Sequence, residues 1–421
     1  MASLDGLSID LLQLILEKID NHRDSLQFGS VCRQFRSIIY DNLHLLPPKL
    51  PFCLCAHPSK PPPLPLLMQC LDDETENISF FSISDGRNHG EFIVPEIRNK
   101  WIVGSSYGWL FTVDIHGRDI QLLNPLTRAQ VNLPSLDAFQ HPDGGFTSGE
   151  FNDFGFVEKA VILSDPSNKG RNLEGNDDCI LAVAIISNLR VLSFCRIGDD
   201  KWTNAEGSLT HLQDVIYYEG QIYGINYMGI AVVYDIAGDK KMKQIANAPD
   251  QLFVVDRYLV ESTNGDLLQV VREIDYRYDG DVGKTSEFYI YKLESVDEPI
   301  VPAEDNFYLT VNERVPIRYK FNFKWVDMES LGDQALFLGQ NYSLCVRAAE
   351  HEGCKPNCIY FTEHGSGHRC IARGNCKSED IDKYSICDMG TYDLGDESFQ
   401  DFSQVNAKRL VPPIWISPNP W

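Results

Sequence analysis

From residue 66 to about residue 410 short apolar, β-prone runs alternate with Gly, Asn and Asp turns, and no long amphipathic helical pattern intervenes. The runs predict strands at Ile78–Ile83, Trp109–Val113, Ile120–Leu123, Cys179–Ile186, Val191–Ile197, Val215–Tyr218, Ile222–Ile225, Ile230–Tyr234, Tyr258–Glu261, Leu267–Glu273, Phe288–Leu293, Ala335–Leu338, Ser343–Val346 and Ile359–Thr362. Short strands at regular spacing describe a sandwich, a barrel or a radial repeat. Some 350 residues, roughly, exceed what one sandwich holds, whereas four-stranded blades absorb them. SSYGWLFTVD (105–114), YYEGQIYGINYMGIAVVYD (217–235) and YLVESTNGDLLQVV (258–271) each set aromatic or aliphatic runs around a Gly-containing turn, a faint repeat of the kind blades leave. Asn264-Gly265 between apolar runs predicts a hairpin, because both turn residues tolerate positive φ. The expected fold is mainly β, a β-propeller of six or seven blades over residues 66–410, with the tail 411–421 a candidate to close the ring against the first strands.

The first 45 residues follow a different period. Leu7, Leu11, Leu14, Ile15 and Ile19 fall on one helical face, and Ile9, Leu12 and Leu16 add a second strip beside it. Asp24 with Gln27 forms a capping box for a second helix. Phe28, Val31, Cys32, Phe35, Ile38 and Ile39 continue at helical spacing, with Gly29 and Ser30 dividing that stretch in two. Three short helices of about 40 residues expose more apolar surface than they can bury alone. Either the chain's own β domain or a partner protein covers them.

Pro47, Pro48, Pro51, Pro58, Pro61, Pro62, Pro63 and Pro65 mark residues 46–65 as an extended linker, since proline at that density forbids helix. The net charge of −23 arises almost wholly beyond residue 45, and no Lys/Arg cluster stands out to neutralise phosphates, so no nucleic-acid partner is expected. The longest apolar run, Ile180 to Ile186, is strand length and far short of the roughly 18 residues of a membrane span. Asp5 and Asp10 stand where a secretory signal would carry positive charge, so an address in the cytoplasm or nucleus is expected.

Candidate chemistry is sparse. Cys354 and Cys358, with His364, His368, Cys370 and Cys376 beyond and His351 before them, are zinc-type ligands, but the spacing after Cys358 is too short for a finger and Cys358 opens an apolar strand. No metal or other cofactor is expected. Asp114, His116, Asp235 and Asp256 are the acids and bases that a propeller enzyme would have to converge on one face, and Asp is equally the ordinary strand-end residue. Trp109, Trp202 and Trp325 are read as filling between blades. The longer polar loops Phe139–Asp153, Asp165–Asp178, Arg277–Lys284 and Asp297–Val315 are where a target would be contacted.

The order of Leu7, Leu11, Ile15, Leu16 and Ile19, a polar break with Leu26, then Val31-Cys32-Arg33-x-Phe35-Arg36 resembles an F-box, with Ser8 where proline is usual and Phe35 where tryptophan is common. Further on, Gly104-Ser105-Ser106-x-Gly108-Trp109-Leu110, Leu123-Asn124-Pro125, Asp214-Val215-Ile216-Tyr217-Tyr218-x-Gly220, Leu331-Gly332-Asp333 and Cys358-Ile359-Tyr360-Phe361-Thr362 appear in one order. That series is similar to the plant F-box proteins whose C-terminal region, once a domain of unknown function, is a kelch-like propeller of the KIB type. The resemblance implies a non-catalytic receptor. Leu7, Leu11, Leu12, Ile15, Leu16, Ile19, Leu26, Val31, Cys32 and Phe35 would dock on a Skp-type adaptor, and through it a cullin-based ubiquitin ligase, while the propeller holds a protein substrate. A propeller module with a vestigial F-box, or less simply a propeller enzyme, are the alternatives.

Overall fold

Among the described residues six sheets of four or five strands stand around one axis, and Phe307–Leu309 pairs with Arg314–Pro316 in a separate two-stranded sheet. The computed structural model describes Leu11, Leu12, Leu14, Ile15 and Phe35 among the first 63 residues, and from Leu64 to Ser417 the strands and most turns of the ring. Residues 71–76, 115–118, 140–156, 164–181, 187–190, 207–210, 236–240, 250–254, 276–283, 301–306, 310–313, 317–320, 363–387, 406–412, 418–421 and a few shorter stretches lie outside the described residues. The linker over 46–63 and most of the helical unit over 1–45 lie outside them too.

Blade 2 consists of Lys100–Ser106, Trp109–Asp114, Ile120–Leu123 and Gln130–Asn132, and blade 3 of Val157–Ile162, Ala182–Ile186, Val191–Cys195 and Thr203–Asn204. Blade 4 consists of Leu212–Tyr218, Gln221–Asn226, Ala231–Tyr234 and Met242–Ala246, and blade 5 of Val255–Glu261, Leu267–Asp275, Lys284–Ile300 and Phe321–Asp327. In these four blades neighbouring strands are antiparallel and follow one another in sequence outward from the axis, except that the pair Phe307–Leu309 and Arg314–Pro316 intervenes before the last strand of blade 5. Blade 6 has five strands. Its inner strand Leu344–Arg347 lies beside Gln334–Leu338, which pairs in parallel with Cys358–Phe361, followed by Gly390–Asp393 and Ser398–Asp401. Blade 1 takes Leu66–Cys70, Asn77–Ser82 and Arg87–Ile93 from the start of the ring and its inner strand, Ile414–Ile416, from the end. Ile414–Ile416 thus closes the ring, with Leu66 opposite Ile416 and Leu67 opposite Trp415.

The expected strands are all present, and the blade number is six. Turn chemistry explains the hairpins. Tyr107 and Gly108 (φ 51° and 77°) and Glu219 and Gly220 (φ 47° and 81°) both take the left-handed conformation that two-residue hairpins need. The Asn264-Gly265 hairpin is present, joining Val255–Glu261 to Leu267–Asp275, with Gly265 (φ 84°) at positive φ and Asn264 not. The Gly265 amide donates to Ser262 O, and Ser262 Oγ accepts from the amides of Asn264 and Asp266, a longer turn held by the serine.

There is no single core. An apolar cluster lies at each of the six junctions between blades, and each draws residues from both neighbours. Trp109 and Trp202 pack between blades 2 and 3, and Trp325 packs between blades 4 and 5, as filling. Six independent junctions make the ring only as closed as its weakest one, and the junction between blades 6 and 1 depends on Trp415, Leu67 and Leu64.

Candidate functional site on the axis of the ring

The inner strands run in one direction. Ile162, at the end of blade 3's inner strand, donates its amide to Ser106 Oγ at the end of blade 2's, and Gln213 near the start of blade 4's donates to Val255 O at the start of blade 5's. The strands therefore begin on one face of the ring, called lower here, and end on the other, the upper face. Blades 2 and 3 approach closely at Gly104, where a Cβ would lie 2.1 Å from Ala160 O, so only glycine fits.

Polar side chains staple these strands around the axis. Ser105 Oγ donates to Trp415 O (2.5 Å), joining blades 2 and 1. Lys159 of blade 3 forms an ion pair with Asp214 of blade 4 (2.5 Å), both side chains 1% exposed, and Asp214 also accepts the amide of Leu259 from blade 5 (2.8 Å). Arg272 of blade 5 reaches Thr362 O and the Asp388 carboxylate of blade 6, which also takes the amide and hydroxyl of Thr285. Trp415 Nε1 donates to Leu338 O (3.2 Å), joining blade 1 back to blade 6.

Tyr342 occupies the axis. It precedes the inner strand of blade 6, yet its amide donates to Ser105 O of blade 2 (2.9 Å) and its hydroxyl to Tyr217 O of blade 4 (3.2 Å). Blades 2, 4 and 6 alternate around the ring, so a residue bonded to all three sits between them and plugs the channel. Beside it a small pocket is lined by Ser105, Ser106, Tyr107, Leu344, Trp415 and Ser417. Around the upper mouth, burial pushes the Glu261 carboxyl up, with Glu219 adding to it. Burial likewise raises the Tyr218 phenol to about 12, helped by Glu219, Glu261 and Asp266. The Tyr342 phenol is held well above its ordinary value by burial, then by Tyr107, Glu261 and Asp214. Burial also pushes the Asp214 carboxyl up, against the opposing pull of Lys159 and two backbone amides. The plug is neutral, and the mouth above it is acidic and tyrosine-rich.

A family model described as the KIB1-4 beta-propeller matches residues 80–393, about three quarters of the chain. The chain belongs to the KIB1-4 beta-propeller family. Its relatives include F-box protein SKIP23 of Arabidopsis thaliana, 24% identical over 435 residues that cover 99% of this chain and 96% of that protein. F-box proteins At2g17690 and At2g17036 of the same plant are 24% and 23% identical, over 86% and 83% of this chain and 92% and 80% of theirs.

Within this KIB1-4 propeller the expected enzyme residues do not converge. Asp114 pairs across the sheet with Lys100, at the lower end of blade 2. Asp235 follows Tyr234, whose row leads through Ile222 to Tyr217 at the upper end of blade 4. Asp256 is buried near the lower end of blade 5, and His116 lies outside the described residues. Cys358 and Tyr360 share one face of their strand and join the same cluster, as alternation requires. Burial raises the thiols of Cys354 to about 11 and Cys358 to about 12. Among the described residues no group of three or more His, Cys, Asp or Glu side chains could hold a metal ion; His364, His368, Cys370 and Cys376 lie outside them. The loops 140–153 and 165–178 expected to meet a target lie outside too.

Of the expected adaptor-docking residues, Leu11, Leu12, Ile15 and Phe35 are described, each with helical backbone. Leu12 and Phe35 are buried, while Leu11 (50% exposed) and Ile15 (43%) lie with Leu14 (53%) toward solvent. Leu7, Leu16, Ile19, Leu26, Val31 and Cys32 lie outside the described residues. The residues that organise the axis, Lys159, Tyr342 and Trp415, carry no motif of their own. Ser105, Asp214 and Thr362 lie inside the ordered motifs Gly104-Ser105-Ser106, Asp214-Val215-Ile216 and Cys358-Ile359-Tyr360-Phe361-Thr362.

Proposed function

We propose that the chain is the substrate-recognition subunit of a Skp–cullin–F-box ubiquitin ligase, acting in the cytoplasm or nucleus. The N-terminal helical unit docks on the Skp-type adaptor, and the propeller holds a target protein for ubiquitination. The observation that carries this reading is a likeness to F-box protein SKIP23 extending over 99% of the chain, N-terminal unit included. Three exposed apolar side chains, Leu11, Leu14 and Ile15, at three-and-four spacing fit a partner-facing strip. Tyr342 on the axis fits a propeller that binds on its rim better than one that converts a substrate in its channel. Catalysis then lies elsewhere in the complex, and this chain supplies position and effective concentration.

The test separates capture from transfer. Full-length chain and the Leu11→Asp, Ile15→Asp variant are expressed in plant cells, and proteins captured by each are probed for ubiquitin. Two carboxylates placed in an interface without partners abolish docking. Equal capture with ubiquitin conjugates on the wild type alone is the expected result. Conjugates undiminished by the variant would rule the reading out.

A further inference from the structure

We propose that the closing strand Ile414–Ile416 is the latch of the axial plug: Tyr342 shuts the channel while that strand is docked, and release of the strand frees the plug and opens the upper mouth. The two are joined through one residue. Ser105 holds the closing strand with its hydroxyl, on Trp415 O, and the plug with its carbonyl, on the Tyr342 amide. Trp415 in turn grips blade 6 through Leu338 O, just ahead of the loop that carries Tyr342. Its indole meets the Phe337 ring edge-on at 5.1 Å, and Trp415 and Tyr342 line the same pocket. Removing the strand takes away the acceptor of Ser105 Oγ, one wall of the pocket and one of the donors to Leu338 O together.

Among the described inner strands the latch also has the shortest pairing. Ile414–Ile416 pairs over three residues, against seven for blade 5's inner strand, so it is the first part expected to open. It pairs with Leu66–Cys70, the strand that directly follows the proline linker, and Leu66 lies opposite Ile416. A pull on the N-terminal unit is therefore delivered to the strand pair that holds the plug. The coupling is reciprocal by linkage: whatever steadies Tyr342 steadies the strand, and the reverse. Nothing in it depends on which protein docks on the N-terminal unit, so it stands or falls apart from the ligase reading.

Hydrogen exchange on the free full-length chain in sub-denaturing urea tests it without any substitution. The amides of Tyr342 and of Ile414–Ile416 are expected to exchange through one opening, with the same free energy and urea dependence, below that of the blade 4 amides Ile222–Ile225. Two variants sharpen the result. Trp415→Phe, which keeps the ring and removes the bond to Leu338, is expected to speed exchange at Tyr342 several-fold, the scale of one lost hydrogen bond. Tyr342→Ala is expected to speed exchange at Ile414–Ile416. A Tyr342 amide that stays protected after the closing strand has exchanged would overturn the latch. So would exchange of both only together with blade 4.

Discussion

At the scale of single residues the axis is held by groups that sequence patterns misread. Lys159 sits in Val157–Ile162, a stretch whose charges argue against a strand, yet it is 0% exposed and forms an ion pair with Asp214 in the next blade. Removing one partner of such a pair leaves a buried charge alone, so Lys159→Ala is expected to lose about 3–5 kcal/mol in urea unfolding. Lys159→Met with Asp214→Asn removes both charges and keeps an acceptor for the Leu259 amide, and should recover most of that loss. A double variant no better than the single one would show that the site needs the charges themselves. Gly104→Ala would drive a methyl to 2.1 Å from Ala160 O and separate blades 2 and 3, so it should give little folded protein. The half-buried Cys354 thiol sets an alkaline limit. The folded chain keeps Cys354 protonated up to about 11, against 9.0 for an ordinary thiol, so between those values the folded state binds more protons than the unfolded state. Stability is therefore expected to fall as pH rises through that window. Alkylation of Cys358 in the folded chain should stay slow at pH 9, and rapid labelling there would contradict its burial.

At the scale of elements the reading succeeded where apolar alternation was clear and turns carried Gly. It lost strands at both edges of the blades, for different reasons. The inner strands Lys100–Ser106 and Val157–Ile162 turn polar groups toward the axis, so Ser105, Ser106 and Lys159 break the alternation. The outer strands Gln130–Asn132 and Ser398–Asp401 are short and largely exposed, leaving no apolar face to detect. Ile414–Ile416 is too short to carry a period, so the sequence marks its stretch only as a candidate to close the ring, and the pairing with Leu66–Met68 supplies the strand. Deleting residues 410–421 removes Ile414, Trp415 and Ile416, each 1% exposed, and burial of such side chains is worth about 1.5–3 kcal/mol apiece. The deletion is expected to lower the melting temperature sharply, and unchanged melting would mean the ring closes without that strand.

At the scale of the whole molecule six separate junction cores hold six blades, the chain's net charge of −23 lies mostly beyond residue 45, and the described residues show no axial chemistry beyond the plug and its staples. The family and the blade architecture were readable because motifs spread over several blades occur in one order. The target was not, since the loops that would contact it carry only the polar, Gly-rich composition common to any loop. The N-terminal unit was readable from its excess of apolar surface, of which Leu11, Leu14 and Ile15 are the described exposed part. The most direct measurement is size-exclusion chromatography of the purified full-length chain mixed with a purified Skp-type adaptor, beside the Leu11→Asp, Ile15→Asp variant. The receptor reading predicts a stable complex with the wild type and separate peaks with the variant. Separate peaks with the wild type, or a complex that the variant leaves intact, would contradict it.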